Sequence, residues 1–468
     1  MKKFSIKAVA LAAGVLAGGS AFAVVNLDTN TGVTGPVKFA KELNISGAGT
    51  ALTNAGNALD IVADAGVAVA ASTTRYVRID LSSGVFTANP TLSVAASGGT
   101  PATLTGTLTS GGTGSSFAVF SVATGTAAIV ATDDVTVGVA TGITATSQDT
   151  ITARYRIFGI PAFADAPTET NSLYSKTGNL ITFTNALTFE VTANNELTAD
   201  YGASTPFAAF TTTTDQNLGT ITVTEGLANK ADGTAATFAN IVQDKTVVTV
   251  NGDFSFLKKT TGASPVLDKQ FLTLGAAATA TTVTDTKATF GTTTDGWEGA
   301  SAGAKTLTIE ASNGLSGTTP IPVGAYTVDF AFTAQTGFTA PTVTGLKVGS
   351  IKRNGTTLVA PLVNQPAGWY SRLVLTNSGN TDLPYRVAAV AEDGTTVALS
   401  GAAASGTVKK NSTIVVDLDT LATITGTGAK PRTGLVVTVD GAGTSVTGQY
   451  QIANGTTGMI SNYTLVQK

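Results

Sequence analysis

Cysteine and histidine are both absent from the 468-residue chain. Without cysteine there can be no disulfide, no thiolate metal site, no thiol nucleophile and no lipid-modified cysteine anchor. Without histidine the Ser-His-Asp triad is excluded, together with the commonest general base and the usual zinc or copper ligand. Charge is scarce as well: Asp, Glu, Lys and Arg make up 12% of the chain, against the ~25% usual for soluble domains. Disorder needs low hydrophobicity and high net charge, whereas 43% of these residues are hydrophobic and the formal net charge is only −3. The chain is therefore expected to fold, and to be held by burial and sheet hydrogen bonding alone.

What is present begins with an export signal. Lys2, Lys3 and Lys7 precede an apolar run, Ala8 to Ala17, and Ala21-Phe22-Ala23 is a small-x-small cleavage site. The run is far shorter than the ~20 residues that span a bilayer, so it reads as a signal peptide (1–23) rather than an anchor. Cleavage after Ala23 removes three lysines and leaves 24 basic against 30 acidic residues, a mature charge of −6. That mild acidity, with no basic patch, argues against nucleic acid as a partner.

The mature chain reads as all-β. Thr, Val, Ala and Gly dominate, with 52 Gly and 14 Pro placed as turn residues between short runs of strand formers. Aromatics are too few for the two girdles of a membrane barrel, which favours soluble or surface-deposited sheet. The spacing predicts tandem immunoglobulin-like β-sandwich modules at 24–165, 166–344 and 345–468. Within the first, Pro36 to Leu43 is expected to be a short helix with Pro36 in its first turn. Thr74 to Leu81 alternates as a strand and is echoed by Thr152 to Phe158, and Pro90 to Gly142 reads as a meander. Pro161 to Pro167 is expected to be a corner or linker.

In the second module, Leu180 to Thr184 and Leu187 to Val191 are expected to flank a turn at Asn185-Ala186. Thr246 to Val250 and Asp253 to Leu257 are expected to form a hairpin through Asn251-Gly252, a pair suited to a type I′ turn. Tyr326, Val328, Phe330 and Phe332 fall on one strand face and are assigned to the core. The third module carries strand signals on either side of Asn354-Gly355, then at 372–376, 385–391, 414–418, 435–439, 448–453 and 461–466, the count of an immunoglobulin-like sandwich.

Three stretches in this last module, Arg372-Leu-Val-Leu-Thr-Asn377, Tyr385-Arg-Val-Ala-Ala-Val-Ala-Glu-Asp-Gly394 and Gly448-Gln-Tyr-Gln-Ile-Ala-Asn454 with Gly458 to Val466, resemble the carboxy-terminal module of betaproteobacterial S-layer-like cell-surface proteins. Val37 to Leu43 and Arg75 to Asp80 are similar to the front of the same proteins. The resemblance implies an exported, β-rich surface protein that assembles into a two-dimensional layer. It carries no catalytic residues.

Sites of chemistry are few. Asp28-Thr-Asn-Thr-Gly32 places oxygen ligands at alternate positions before a glycine, which makes Asp28 and Asn30 calcium candidates, but the bidentate glutamate of an EF-hand does not follow. A plain Asx turn explains the same residues. Asp133, Asp134, Asp253, Asp417 and Asp419 are read as turn acids that could join a calcium site at a sheet edge. A pair of carboxylates could run glycoside hydrolysis without histidine, yet the glutamates are scattered and only Trp297-Glu298 sets an acid beside a tryptophan. No phosphate loop occurs. The expected function is that of an extracellular structural subunit whose principal partner is itself, held at the surface by a polysaccharide or lipid anchor, with no required cofactor and calcium as an optional one. An adhesin or fibre subunit is the alternative, and a secreted hydrolase a more distant one.

Overall fold

A computed structural model describes residues 24–29, 35–97, 102–168, 170–212, 214–243, 246–261, 264–275, 278–291, 302–365, 368–426, 432–441 and 443–468. The signal peptide expected at 1–23 lies outside them, as do Asn30, Glu169 and the Trp297-Glu298 pair. Strand is the dominant element, at 54% against 5% helix, and no helix among the described residues is long and apolar enough to cross a membrane. The chain forms two compact units. One contains the residues up to Thr188 and takes back Glu225–Ile241 and Ala334–Ala340; the other contains Phe189–Thr224, Val242–Thr333 and Pro341–Lys468.

The first unit is a ten-stranded sheet in the order Val25–Asn26, Ile61–Asp64, Asp134–Gly138, Thr91–Ala95, Thr103–Gly111, Phe117–Ala123, Thr74–Leu81, Ile151–Phe158, Tyr174–Thr184 and Val37–Ala40. Thr103–Gly111 changes partner half-way: its first half pairs with Thr91–Ala95 and its second with Phe117–Ala123. Gly106 sits at this exchange, where a Cβ would stand 2.8 Å from Leu92 and 3.2 Å from Phe120, so both partners can close on the bare backbone. The expected meander is present as Thr91–Ala95, Thr103–Gly111 and Phe117–Ala123.

Two expectations for this unit are corrected. The segment after Pro36 is a strand, Val37–Ala40, pairing in parallel with Ile181 to Thr184, because Phe39 and Ala40 gain complete burial at the sheet edge. Pro161–Asp165 is a short helix rather than a linker between modules. The strands on either side of it, Ile151–Phe158 and Tyr174–Thr184, pair with each other, so this unit continues past 165.

The second unit contains a ten-stranded sheet and a sandwich. The sheet runs Ala278–Thr279, Leu272–Leu274, Gly303–Ile309, Gln216–Glu225, Leu187–Ala199, Val343–Arg353, Gly324–Ala331, Val247–Asn251, Lys287–Phe290 and Thr282–Val283. Tyr326, Val328 and Phe330 are buried and Phe332 stacks on Phe330, as their shared face implied. The hairpin through Asn251-Gly252 does not form: Val247–Asn251 pairs with Gly324–Ala331 and Lys287–Phe290 instead. Phe254 and Phe256, on the segment expected to return, are buried. Gly252 is needed for a different reason, since a Cβ there would stand 2.2 Å from the Tyr326 ring. Likewise the Asn185-Ala186 turn joins no hairpin, because Tyr174–Thr184 stays in the first sheet while Leu187–Ala199 continues into the second.

Val343–Arg353 belongs to this ten-stranded sheet, so the sandwich begins at Thr356 rather than Gly345. Its five-stranded sheet is Ser405–Val408, Leu383–Ala391, Arg432–Val439, Thr356–Asn364 and Val466–Gln467; its four-stranded sheet is Ser412–Asp417, Trp369–Asn377, Val446–Asn454 and Ile460–Thr464. Thr395–Leu399 and Ala422–Gly426 add a two-stranded ribbon. Alternate residues face inward, and Leu358, Leu373, Leu375, Leu435, Val437 and Tyr450 share one core. The Tyr450 hydroxyl donates to the Asn364 carbonyl at 3.0 Å, which satisfies its polar end within that core.

Candidate assembly surface

The acids singled out in the sequence are mostly tied to the backbone. Asp28 follows the strand Val25–Asn26; its Oδ2 accepts the Asp64 amide at 2.7 Å and its Oδ1 pairs with Lys176 Nζ at 3.2 Å. The turn itself is closed by Asn26, whose Oδ1 accepts the amides of Asp28 and Thr29. Asp133 is buried and accepts the Ser97 hydroxyl at 2.6 Å and the amides of Ser97 and Val130. Burial alone would raise its pKa, but those three donors together hold it below the ordinary carboxylate value. Asp253 accepts the Ser255 amide in an Asx turn, Asp417 precedes the short helix Leu418–Leu421, and Asp419 lies 3.3 Å from Gln365 Nε2. Among the described residues no three acids stand together in a way that could hold a metal ion.

Two buried polar constructions were not anticipated. The echoed strings at 74–81 and 152–158 are neighbouring strands, and their register sets Arg78 directly opposite Arg156. Asp80 joins the two guanidiniums, with Oδ1 at 2.7 Å from Arg78 Nε and Oδ2 at 2.6 Å from Arg156 Nη2. Arg78 Nη1 also donates to the carbonyl of Ala164 at 2.9 Å, capping the end of the helix Pro161–Asp165, and its guanidinium lies over the Phe117 ring. Only 8% of Arg78 and 6% of Arg156 is exposed, and Arg156 Nε has no hydrogen-bond partner. The repeated Arg at matching strand positions was the available signal. The second construction is Glu42, buried just after Val37–Ala40, whose carboxylate accepts the amides of Ala186 (2.9 Å) and Leu187 (3.2 Å). Both constructions act as scaffolding, each a desolvated charge that ties separate segments of the chain together.

The sandwich carries a group of exposed apolar side chains, among them Leu362, Tyr370, Val390, Met459, Ile460 and Tyr463. The strand Thr356–Asn364 shifts register between Ala360 and Val363, which turns Pro361 and Leu362 out of the ladder and leaves Leu362 53% exposed. On one side of this bulge lies a cleft of about 360 Å³ against Val390 and Val436; on the other, one of about 260 Å³ against Ile452 and Tyr463. The second cleft runs to the edge strand Ile460–Thr464, all five residues of which are exposed. Tyr463 stacks on Tyr450 at 6.1 Å between ring centroids, and Met459 and Val466 extend the apolar rim.

A family model described as S-layer protein Slr4 matches residues 77–457, more than half of the chain. The chain belongs to the Slr4 S-layer protein family. Membership makes it a cell-surface structural protein and accords with the resemblance seen at the two ends of the sequence. No curated protein matches it. Among solved structures it is similar to Escherichia coli alpha-2-macroglobulin activated by porcine elastase, at 11% identity and a TM-score of 0.20, over 85% of this chain and 31% of that one. It is also similar to a putative membrane anchored protein from Corynebacterium diphtheriae, at 11% identity and a TM-score of 0.18, over 86% of this chain and 84% of that one. Those scores carry no argument about function. The Slr4 family match and the sandwich geometry carry it.

Proposed function

We propose that this Slr4-family protein is exported, cleaved after Ala23 and built into a two-dimensional array at the cell surface by lateral association of folded subunits. The family match over 77–457 carries the reading. The exposed apolar sandwich edge supports it, since contiguous apolar surface rimmed by polar residues marks association sites. The role is structural: the Arg78–Asp80–Arg156 cluster and Glu42 hold the fold of the first unit. A polysaccharide or lipid of the outer surface anchors the layer, and the betaproteobacterial affinity of the sequence resemblance belongs to the same proposal.

Negative-stain imaging of cells that express the protein, paired with sedimentation of purified mature chain, tests this reading. A lattice on the cells and concentration-dependent large species in solution are expected. Sparse filaments or tips would instead indicate a fibre or adhesin. A monomer at high concentration on cells without a lattice would sink the array. The same sedimentation run with chelator or added calcium tests whether an ion at Asp28 and Asn30 takes part.

A further inference from the structure

Sheet edges are open templates for strand pairing, and most exposed edges carry a charge or proline that blocks it. In this protein the edge strand Val37–Ala40 contains Lys38, with Lys41 next to it. The edge strand Ser405–Val408 runs directly into Lys409 and Lys410, and those same lysines precede the other edge of the four-stranded sheet, Ser412–Asp417, which ends on an acid. Other edges also lack charge and proline, but Val25–Asn26, Ala278–Thr279, Thr282–Val283 and Val466–Gln467 are only two residues long, and the ribbon strands Thr395–Leu399 and Ala422–Gly426 are partly buried. Ile460–Thr464 differs in being both five residues long and exposed throughout. Its sequence, Ile-Ser-Asn-Tyr-Thr, has no charge and no proline, every residue is exposed, and no described strand pairs with its outer side.

The orientation of its backbone follows from the ladder with Val446–Asn454. Leu465 N donates to Gly448 O at 2.9 Å and Asn454 N donates to Met459 O at 2.8 Å, so odd-numbered residues bond inward. In an antiparallel pair inward and outward residues alternate. Ile460, Asn462 and Thr464 therefore turn their N–H and C=O groups to the free edge, three donors and three acceptors in a row.

We infer that this edge pairs antiparallel with the same edge of a second copy, about a two-fold axis at Asn462. The inference rests on the array reading for the identity of the partner, but the geometry is independent of it, since the family match ends at residue 457. In this register Asn462 faces its own counterpart, Ile460 faces Thr464 of the second copy, and the outward amides and carbonyls of the three residues are all bonded. Ser461 faces Tyr463 of the second copy, a small residue against a large one, which covers the cleft lined by Leu362, Ile452 and Tyr463. The absence of charge on the strand lets two identical edges meet without repulsion.

A head-to-tail alternative, with Ile460–Thr464 laid against Ser412–Asp417 of the next copy, would continue the four-stranded sheet without end. Neighbouring strands rotate by ~20–25°, so such a sheet would turn by roughly 90° per subunit and make a twisted fibre. A two-fold contact closes after eight strands and leaves other surfaces to extend a flat layer.

The chain has no cysteine, so a single Asn462→Cys substitution introduces the sole thiol. Opposed hydrogen-bonded residues of an antiparallel pair have Cα atoms about 5.5 Å apart, within the range a disulfide bridges. Full-length mature Asn462→Cys is expected to give a covalent dimer under mild oxidation, whereas Thr423→Cys, exposed on the Ala422–Gly426 ribbon, is expected to stay monomeric. Asn462→Lys, which sets two like charges opposite each other, is expected to weaken dimerisation about tenfold. If wild-type protein assembles while Asn462→Cys does not link, or links no better than Thr423→Cys, this edge is not the contact and the array reading stands. Assembly of Asn462→Lys at the wild-type concentration would also overturn it. A linked dimer in a protein that forms no larger species would support the edge and sink the array.

Discussion

Asp80 is the position at which the fold of the first unit is most exposed to a single change. It is the shared acceptor of Arg78 and Arg156, two guanidiniums almost wholly removed from water. Asp80→Asn keeps the shape but removes the charge, and its amide can present one oxygen to one guanidinium only, leaving the other facing an N–H₂. Breaking a buried ion pair from one side costs about 3–5 kcal/mol because the remaining charge stays desolvated. Amide exchange across Thr74–Leu81 and Ile151–Phe158 is the appropriate measurement, since it reads the two strands that carry the cluster. At 1.4 kcal/mol per tenfold, exchange through opening should accelerate roughly 10²- to 4 × 10³-fold. Replacing all three residues with apolar side chains of similar volume should recover most of the loss, as buried ion networks commonly tolerate. A change below threefold for Asp80→Asn would refute the reasoning. It would show that the guanidiniums are served by the helix carbonyls and water rather than by the carboxylate. Glu392→Gln supplies the contrast: its pair with Arg432 is exposed on both sides and screened by water, so the substitution should leave exchange nearly unchanged.

Glu42→Gln, which replaces a charged acceptor of two buried amides by a neutral one, should cost about 1.5–3 kcal/mol in urea unfolding and raise exchange at Ala186 and Leu187 before other sites. The Asp133 pKa is depressed on folding, so its contribution is complete above the ordinary value of 3.8 and is lost as pH falls through the lower folded value. Asp133→Asn should therefore lower stability at neutral pH and flatten the acid limb of a stability–pH curve below about pH 4. Gly252→Ala should destabilise by ~1–3 kcal/mol through overpacking against Tyr326, and a double-mutant cycle with Tyr326→Ala should remove most of that cost. An additive cycle would return the hairpin turn as the reason for the glycine.

Strands with strict alternation were legible in the sequence because period-2 burial is a local property. Thr74–Leu81 and the sandwich strands at 369–377, 383–391, 432–439 and 446–454 all appear close to where the pattern set them. Pairing was not legible, because it is decided by contacts distant in sequence. Asn251-Gly252 and Asn354-Gly355 carry the same turn signature, and neither closes a hairpin. Gly252 admits the Tyr326 ring; a Cβ on Gly355 would stand 2.6 Å from the Val439 carbonyl oxygen and 3.0 Å from the Phe207 ring. Glycine answers both demands, positive φ and close approach, and sequence cannot say which one is being met. Pro36 misled in a similar way: a proline at a first helical turn is equally at home just before an edge strand. Glu42 and the Arg78–Asp80–Arg156 cluster were invisible as scaffolding, since an acid or arginine in a strand reads as solvent-facing until the covering element is known.

The scarcity of charge in this chain makes its edges matter. A subunit with 12% charged residues has few side chains with which to guard many strand ends, and it spends lysines at Lys38, Lys41, Lys409 and Lys410, beside edges of both units. Among the described edges it leaves bare, Ile460–Thr464 is the five-residue strand exposed throughout. A monomeric protein would gain from a lysine at Asn462 at negligible cost, because that side chain is solvent-exposed and lies away from the Tyr463–Tyr450 stack. An array subunit would lose its contact. The bare strand is what a chain built to meet its own copy, and to avoid uncontrolled pairing elsewhere, should carry.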